Sequence, residues 1–300
     1  MTTRQFMSLI LAGAAAASAA AQPAPAQPEA AAPGNEPIIV TGEKNQQKTI
    51  TDFVHALTPT LWNGQISRFE HSVCSAAVGL APRQRDAVEQ RIRLVAKAAG
   101  VAVDGPRCGP NVVLIVTSDK KAFMEELRHH HGEYFGDMTR ERIHALEREP
   151  GPAAAWQLRG PPINAAGVDL YEDPSTGVYV NKTIEGSSRL TEAVRPQFDA
   201  AVVVVERKSL PGLTVTQLAD YAAIRALTGA DPQRLGNSGA PTILHVLDVP
   251  IGGETPITMT SWDLAFLKGF YDVRRNMHAS AQRSAIANSV TKEVKSPQKR

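Results

Sequence analysis

Two uninterrupted apolar runs constrain this chain most: residues 112–116, Val-Val-Leu-Ile-Val, and residues 201–205, Ala-Val-Val-Val-Val. Each is one strand long and rich in β-branched side chains. Neither alternates polar with apolar positions, so neither offers a face to water. Strands of this kind belong inside a sheet covered on both sides.

Helical patterns that can supply the cover lie around them. Ile50, Phe53, Val54 and Leu57 recur at helical spacing and stop at Pro59. Pro82 opens a second helix with Val88, Ile92, Val95, Ala96 and Ala99 on one face, and Gly100 ends it. Ser118 is the expected cap of a third, with Phe123, Met124 and Leu127 inward. A fourth spans 139–148 and stops before Pro150. Thr214 with Gln217, and Thr260 with Asp263, form capping-box patterns. The first starts a helix carrying Leu218, Tyr221, Ala222 and Leu227, with Leu218 and Ala222 inward and Asp220 and Arg225 pointing elsewhere. The second precedes Leu264, Phe266, Leu267, Phe270 and Tyr271.

Further strands are expected over 66–73, 101–103, 156–158 and 242–247. Residues 168–171 and 178–180 flank an Asp-Pro-Ser-Thr-Gly turn and read as a hairpin. Helices and strands mix without strict alternation. The fold class is therefore α+β, a mixed sheet flanked by helices.

The first 21 residues read as an address. Arg4 is their only charge, an apolar run follows from Phe6, and Ala19, Ala20 and Ala21 offer a small-residue cleavage site. That layout is a bacterial signal peptide, and its apolar run is too short to span a bilayer. Residues 22–48, rich in Ala, Pro and Gln at the start, are expected to form a disordered leader. Residues 49–280 form one globular domain, and 281–300 a polar, basic tail. Removing Arg4 takes the net charge from +2 to +1. With no dense basic stripe, this excludes nucleic acid as an expected partner. The mature chain has no further segment apolar enough to span a membrane. The expected location is periplasmic or secreted.

Cys74 and Cys108 are the only cysteines. In an exported chain an even count predicts a disulfide, which would stabilise by about 3–4 kcal/mol on the chain-entropy model. The alternative is two free thiols. No C-x-x-C or second cysteine pair supports zinc.

Other chemistry-bearing groups are sparse. His129, His130 and His131 precede Gly132 and Glu133, but the glycine interrupts the helix on which His129 and Glu133 would share a face. Three or four converging ligands are needed for a fixed metal, so a polar helix end explains them as well. Gly236-Asn237-Ser238-Gly239 lacks the Gly-x-Ser-x-Gly spacing of a nucleophile elbow and reads as a loop. Asp248 and Asp263 both have structural explanations.

Residues 36–42, Glu-Pro-Ile-Ile-Val-Thr-Gly, resemble the TonB box of outer-membrane receptors, which pairs with a partner's sheet edge. No receptor barrel follows, and an edge strand of this chain's own domain is the alternative. A second resemblance rests on 201–205, on Gln217-Leu218-Ala219-Asp220-Tyr221-Ala222-Ala223-Ile224-Arg225-Ala226-Leu227, on Trp262-Asp263-Leu264-Ala265-Phe266-Leu267-Lys268-Gly269-Phe270-Tyr271-Asp272 and on Met277. Val78-Gly79-Leu80 and Pro110-Asn111, beside the two cysteines, belong to the same match. This order resembles an uncharacterised family of exported alphaproteobacterial proteins, some of whose relatives look like zincin metallopeptidases. The resemblance implies a zincin-like fold. It departs at the site: a zincin helix carries His-Glu-x-x-His, whereas here Asp220 and Tyr221 stand in that helix and no histidine lies between Pro211 and Thr242. The implied site is metal-free.

The resulting expectation is an exported, non-catalytic envelope protein with no cofactor or metal, binding another envelope protein or a surface component. The rival is a hydrolase with an atypical site around His129, Glu133 and Asp220.

Overall fold

The two apolar runs lie side by side as parallel strands, β3 (Val112–Thr117) and β9 (Gln197–Glu206), in register from Val112 opposite Ala201 to Thr117 opposite Glu206. The computed structural model describes residues 41–295 apart from 61–63, 106, 184–187, 189–190 and 237, with backbone only for 41–44. Residues 1–40, including the expected signal peptide and most of the 36–42 string, lie outside the described residues.

On its other edge β3 pairs in parallel with β2 (Ser75–Val78), while β1 (Arg68–Phe69) pairs with the start of β9. The remaining edge of β9 takes β4 (Ala153–Arg159) antiparallel, from Ala153 opposite Val205 to Arg159 opposite Phe198. Mixed parallel and antiparallel pairing, with helices on both faces, makes the fold α+β.

The faces follow from the strand period. Ala201, Val203 and Val205 face a large core built by α2 (Pro82–Ala98) and α5 (Val215–Thr228), which α1 (Thr41–Leu57), α6 (Ser261–Asp272) and α7 (Ala279–Lys295) extend. Val202 and Val204 face a smaller core with Met124 of α3 (Lys120–His130), Ile143 and Leu146 of α4 (Arg140–Glu147), Phe135 and Trp156. Trp156 stacks on Phe135 at 5.2 Å, and its Nε1–H donates to Tyr134 O. Both faces of the central strands are thus covered, and both expected capping boxes form. Two short antiparallel pairs stand apart from the main sheet. These are β5 (Ile163–Asn164) with β8 (Val194–Arg195), and the hairpin β6 (Tyr171–Asp173) with β7 (Val178–Val180). Cys74 and Cys108 form a disulfide that ties the approach to β2 to the loop before β3.

Several boundaries differ from the sequence reading. The first helix begins at Thr41, so its first turns take in residues 41–48, assigned above to the leader. Asp119 caps α3 in place of Ser118, its carboxylate accepting Ala122 N–H at 2.9 Å. The expected strand at 101–103 is reduced to one bridge between Val73 and Val103. Residues 242–247 are not a strand: Thr242 caps a 3-10 turn at Ile243–His245, and Asp263 accepts Ile243 N–H at 2.9 Å, which draws the backbone into the turn. The tail expected from 281 is corrected most. Residues 281–295 continue α7, with Ile286 and Val290 fully buried. Arg283 donates to Thr58 O at 2.7 Å, anchoring α7 to the end of α1.

Candidate anion-binding cleft

The sequence-predicted candidates do not converge. His129 and Glu133 are exposed near the end of α3, on the side of the sheet opposite α5, which carries Asp220. His130 pairs with Glu126 and His131 with Glu133, both at the surface. Asp220 does not point away from the core: it is fully buried and salt-bridged to Arg91 of α2. Arg225 is buried as well, contrary to the outward position expected for it. Asp248 lies 3.8 Å from His245. Asp263 is held by Thr242 Oγ1 at 2.6 Å and by Thr260 N–H at 2.9 Å. Burial pushes its carboxyl up, and these hydrogen bonds oppose the shift. Among the described residues, no group of three or more His, Cys, Asp and Glu side chains is arranged to hold a metal.

A different site forms beside β4. Glu206 N–H donates to Pro152 O at 2.8 Å, which fixes the phase of the antiparallel ladder. Alternate residues of such a strand direct both backbone groups to the partner. The N–H and C=O groups of Ala155 and Gln157 therefore face away from β9, towards a cleft of about 600 Å³ that both residues line.

Charge around the cleft is unbalanced. Five arginines line it, Arg142, Arg148, Arg159, Arg225 and Arg234, against Asp137, Glu149 and Asp231. Asp137 is committed to Arg159 at 3.3 Å, and Asp231 accepts Gln233 N–H at 3.0 Å. Arg142, Arg148 and Arg234 are exposed and make no ion pair among the described residues.

Arg225 sits deepest, at 3% exposure. The last turn of α5 is fixed on β4 because Gln157 Nε2 donates to Arg225 O at 2.8 Å. The guanidinium donates from Nη1 to Tyr221 Oη at 2.8 Å and holds Nη2 3.7 Å from Glu149 Oε1. Its Nε–H has no acceptor among the described residues. A buried, charged donor left without a partner is costly, and a bound anion would remove that cost. Burial raises the Glu149 carboxyl above the ordinary range. Arg225, Lys120 and Arg142 work against that shift, and Asp231 adds to it.

Sequence reading passed over this site because its arginines are spread from residue 142 to residue 234 across separate elements. One local signal was present: Arg225 interrupts the otherwise apolar run Tyr-Ala-Ala-Ile-Arg-Ala-Leu.

Comparison with protein-family models, curated proteins and solved structures finds no match for this chain. The zincin-like resemblance gains no support from these comparisons.

Proposed function

We propose that this chain is an exported envelope protein that binds an anionic ligand in the cleft beside β4 without chemically altering it. The observation that carries the reading is Arg225, buried in the cleft with an Nε–H that has no acceptor among the described residues. Three guanidiniums on the walls, without an ion pair among the described residues, and two outward N–H groups on the strand edge add donors for the same ligand. Bidentate guanidinium contacts favour carboxylate, phosphate or sulfate groups.

A hydrolytic alternative rests on Glu149, whose raised carboxyl suits proton transfer. Ser67 also lines the cleft, but among the described residues its Oγ has no hydrogen-bond partner to activate it and no histidine lines the cleft. Binding is therefore the better-supported reading.

Export rests on the charged start, apolar run and Ala-rich end of residues 1–21, and it agrees with the Cys74–Cys108 disulfide. The secreted protein should give an intact mass beginning at Gln22. A mature form retaining Met1 would refute export by this route.

Calorimetric titration with phosphate, sulfate and citrate, at ionic strength matched with chloride, tests the cleft. Saturable binding of at least one anion is expected, and the combined Arg142→Ser, Arg148→Ser and Arg234→Ser variant should weaken it about 10-fold or more. All three residues are exposed, so the variant should still fold. The sign of the pH effect follows from Glu149. Its negative charge opposes the anion, and its raised pKa extends the protonated form upward in pH. Affinity of sulfate, whose own charge is constant over this range, should therefore rise as pH falls towards the Glu149 pKa, and Glu149→Gln should flatten that rise. No saturable binding of any of the three anions, or unchanged affinity in the triple variant, would overturn the reading.

A further inference from the structure

A second cavity, of about 760 Å³, lies beside the β6–β7 hairpin, beyond the Asp137–Arg159 ion pair that also lines the cleft. Leu170, Val178, Tyr179 and Val194 give it apolar walls. Val178 is 58% exposed and Tyr179 38%, so the hairpin leaves apolar surface open to a ligand of this size.

Its polar lining includes Gln65, Asn181 and Gln197. Gln197 is 1% exposed and lines the cavity. Its Nε2 donates to Pro161 O and Asp169 Oδ1, both at 2.7 Å, which fixes the orientation of the amide. That leaves Oε1 buried as an acceptor with no donor among the described residues. A buried acceptor in this state calls for a donor from outside the chain.

The charges agree. Among the described residues, Asp137, Glu172 and Glu192 line the cavity against one cation, Arg159, which Asp137 already engages. Burial, with the negative charge of Glu172 opposite it in the hairpin, holds the Tyr179 phenol above its usual range. Glu192 pairs with His278 at 3.1 Å. Neither glutamate has a lysine or arginine ion-pair partner among the described residues, so both keep negative charge available to a ligand.

We propose that this cavity binds a small amphiphile with a cationic, hydrogen-bond-donating head, of the alkylammonium or alkylguanidinium class. The head satisfies Gln197 Oε1 and the two glutamates, and the alkyl chain covers Val178 and Tyr179. The site takes the opposite charge to the arginine cleft and does not depend on that cleft's ligand.

Titration with octylamine, octan-1-ol and octanoate, followed by the Val178 methyl and Tyr179 ring signals in NMR spectra, tests the proposal. Octylamine is expected to bind saturably and at least 10-fold more tightly than octanol, with octanoate weakest. Gln197→Leu is the direct test of the acceptor, but a buried change there can prevent folding. The Glu172→Gln, Glu192→Gln double variant keeps the test open, because it alters the charge and leaves the core intact. It should weaken octylamine about 10-fold or more and leave octanol unchanged. Octanoate binding as tightly as octylamine, octylamine affinity unchanged in the double variant, or no saturable shift at Val178 and Tyr179 would each overturn it. Anion titration of the same double variant should be unchanged, which separates this site from the cleft.

Discussion

Replacing Asp220 with alanine is expected to lower the free energy of unfolding by about 3 kcal/mol in urea denaturation. The side chain is fully buried. Its Oδ1 accepts Arg91 Nε–H at 2.6 Å, and Oδ2 accepts Arg91 Nη2–H at 3.0 Å, Thr258 Oγ1–H at 2.7 Å and Met259 N–H at 2.7 Å. One carboxylate thus joins α5 to α2 and to the segment leading into α6. Alanine leaves a guanidinium and a backbone N–H to find other acceptors. Removing one partner of a buried ion pair costs roughly 3–5 kcal/mol. The Arg91 side chain is one-third exposed and can turn part of its charge to water, which places this case at the lower end. The loss should rival that of Leu218→Ala, a buried truncation worth about 2–4 kcal/mol. Asp220→Asn, which keeps the shape and some acceptor capacity, should lose less than Asp220→Ala. A loss below about 1 kcal/mol for alanine would show that the pair contributes no more than a surface contact.

The sequence reading placed Leu218 inward and Asp220 away from the core, and the reason Asp220 is buried instead is instructive. Periodicity assigns faces to a helix that is covered on one side. The helix α5 is enclosed on nearly every side, with residues 217–228 all buried, so its two charges had no outward face to occupy. Its composition carried that information: a helix of Leu, Ala, Tyr and Ile with one Asp and one Arg must pair both charges inside. What the sequence could not supply was the partners. Arg91 lies 129 residues from Asp220, and Glu149 lies 76 residues before Arg225. The central strands were readable because burial on both faces removes polar positions from the sequence itself. The cleft was not, because its arginines come from α4, the end of β4, α5 and the turn at Pro232–Leu235, each unremarkable in its own segment. The C-terminal helix was missed for another reason. Ile286, Ala287 and Val290 form a narrow apolar stripe in a polar stretch, enough to pack against α1 and α6 but too sparse to stand out.

Gly79→Ala is expected to lower stability by about 4 kcal/mol, from backbone strain and collision acting together. Gly79 follows β2 directly and has φ +82°, a left-handed conformation that costs an L-residue about 1–2 kcal/mol. A Cβ at this position would also fall on the carbonyl oxygen of Val116, well inside contact distance. That oxygen belongs to β3, the strand held between β2 and β9, so it cannot yield without disturbing ladders on both sides. Gly79 O is fixed too, accepting Arg207 Nη2–H at 2.6 Å from the turn after β9. Gly100 separates the two effects. Its φ is +84°, close to that of Gly79, yet nothing lies within 4 Å of an added Cβ. Gly100→Ala should therefore show the strain alone, about 1 kcal/mol. The difference between the two variants, measured by urea denaturation under one set of conditions, reports the collision with Val116. Equal losses would mean that β2 and β3 can separate at this end at little cost, and that the close approach at Gly79 does not constrain the sheet.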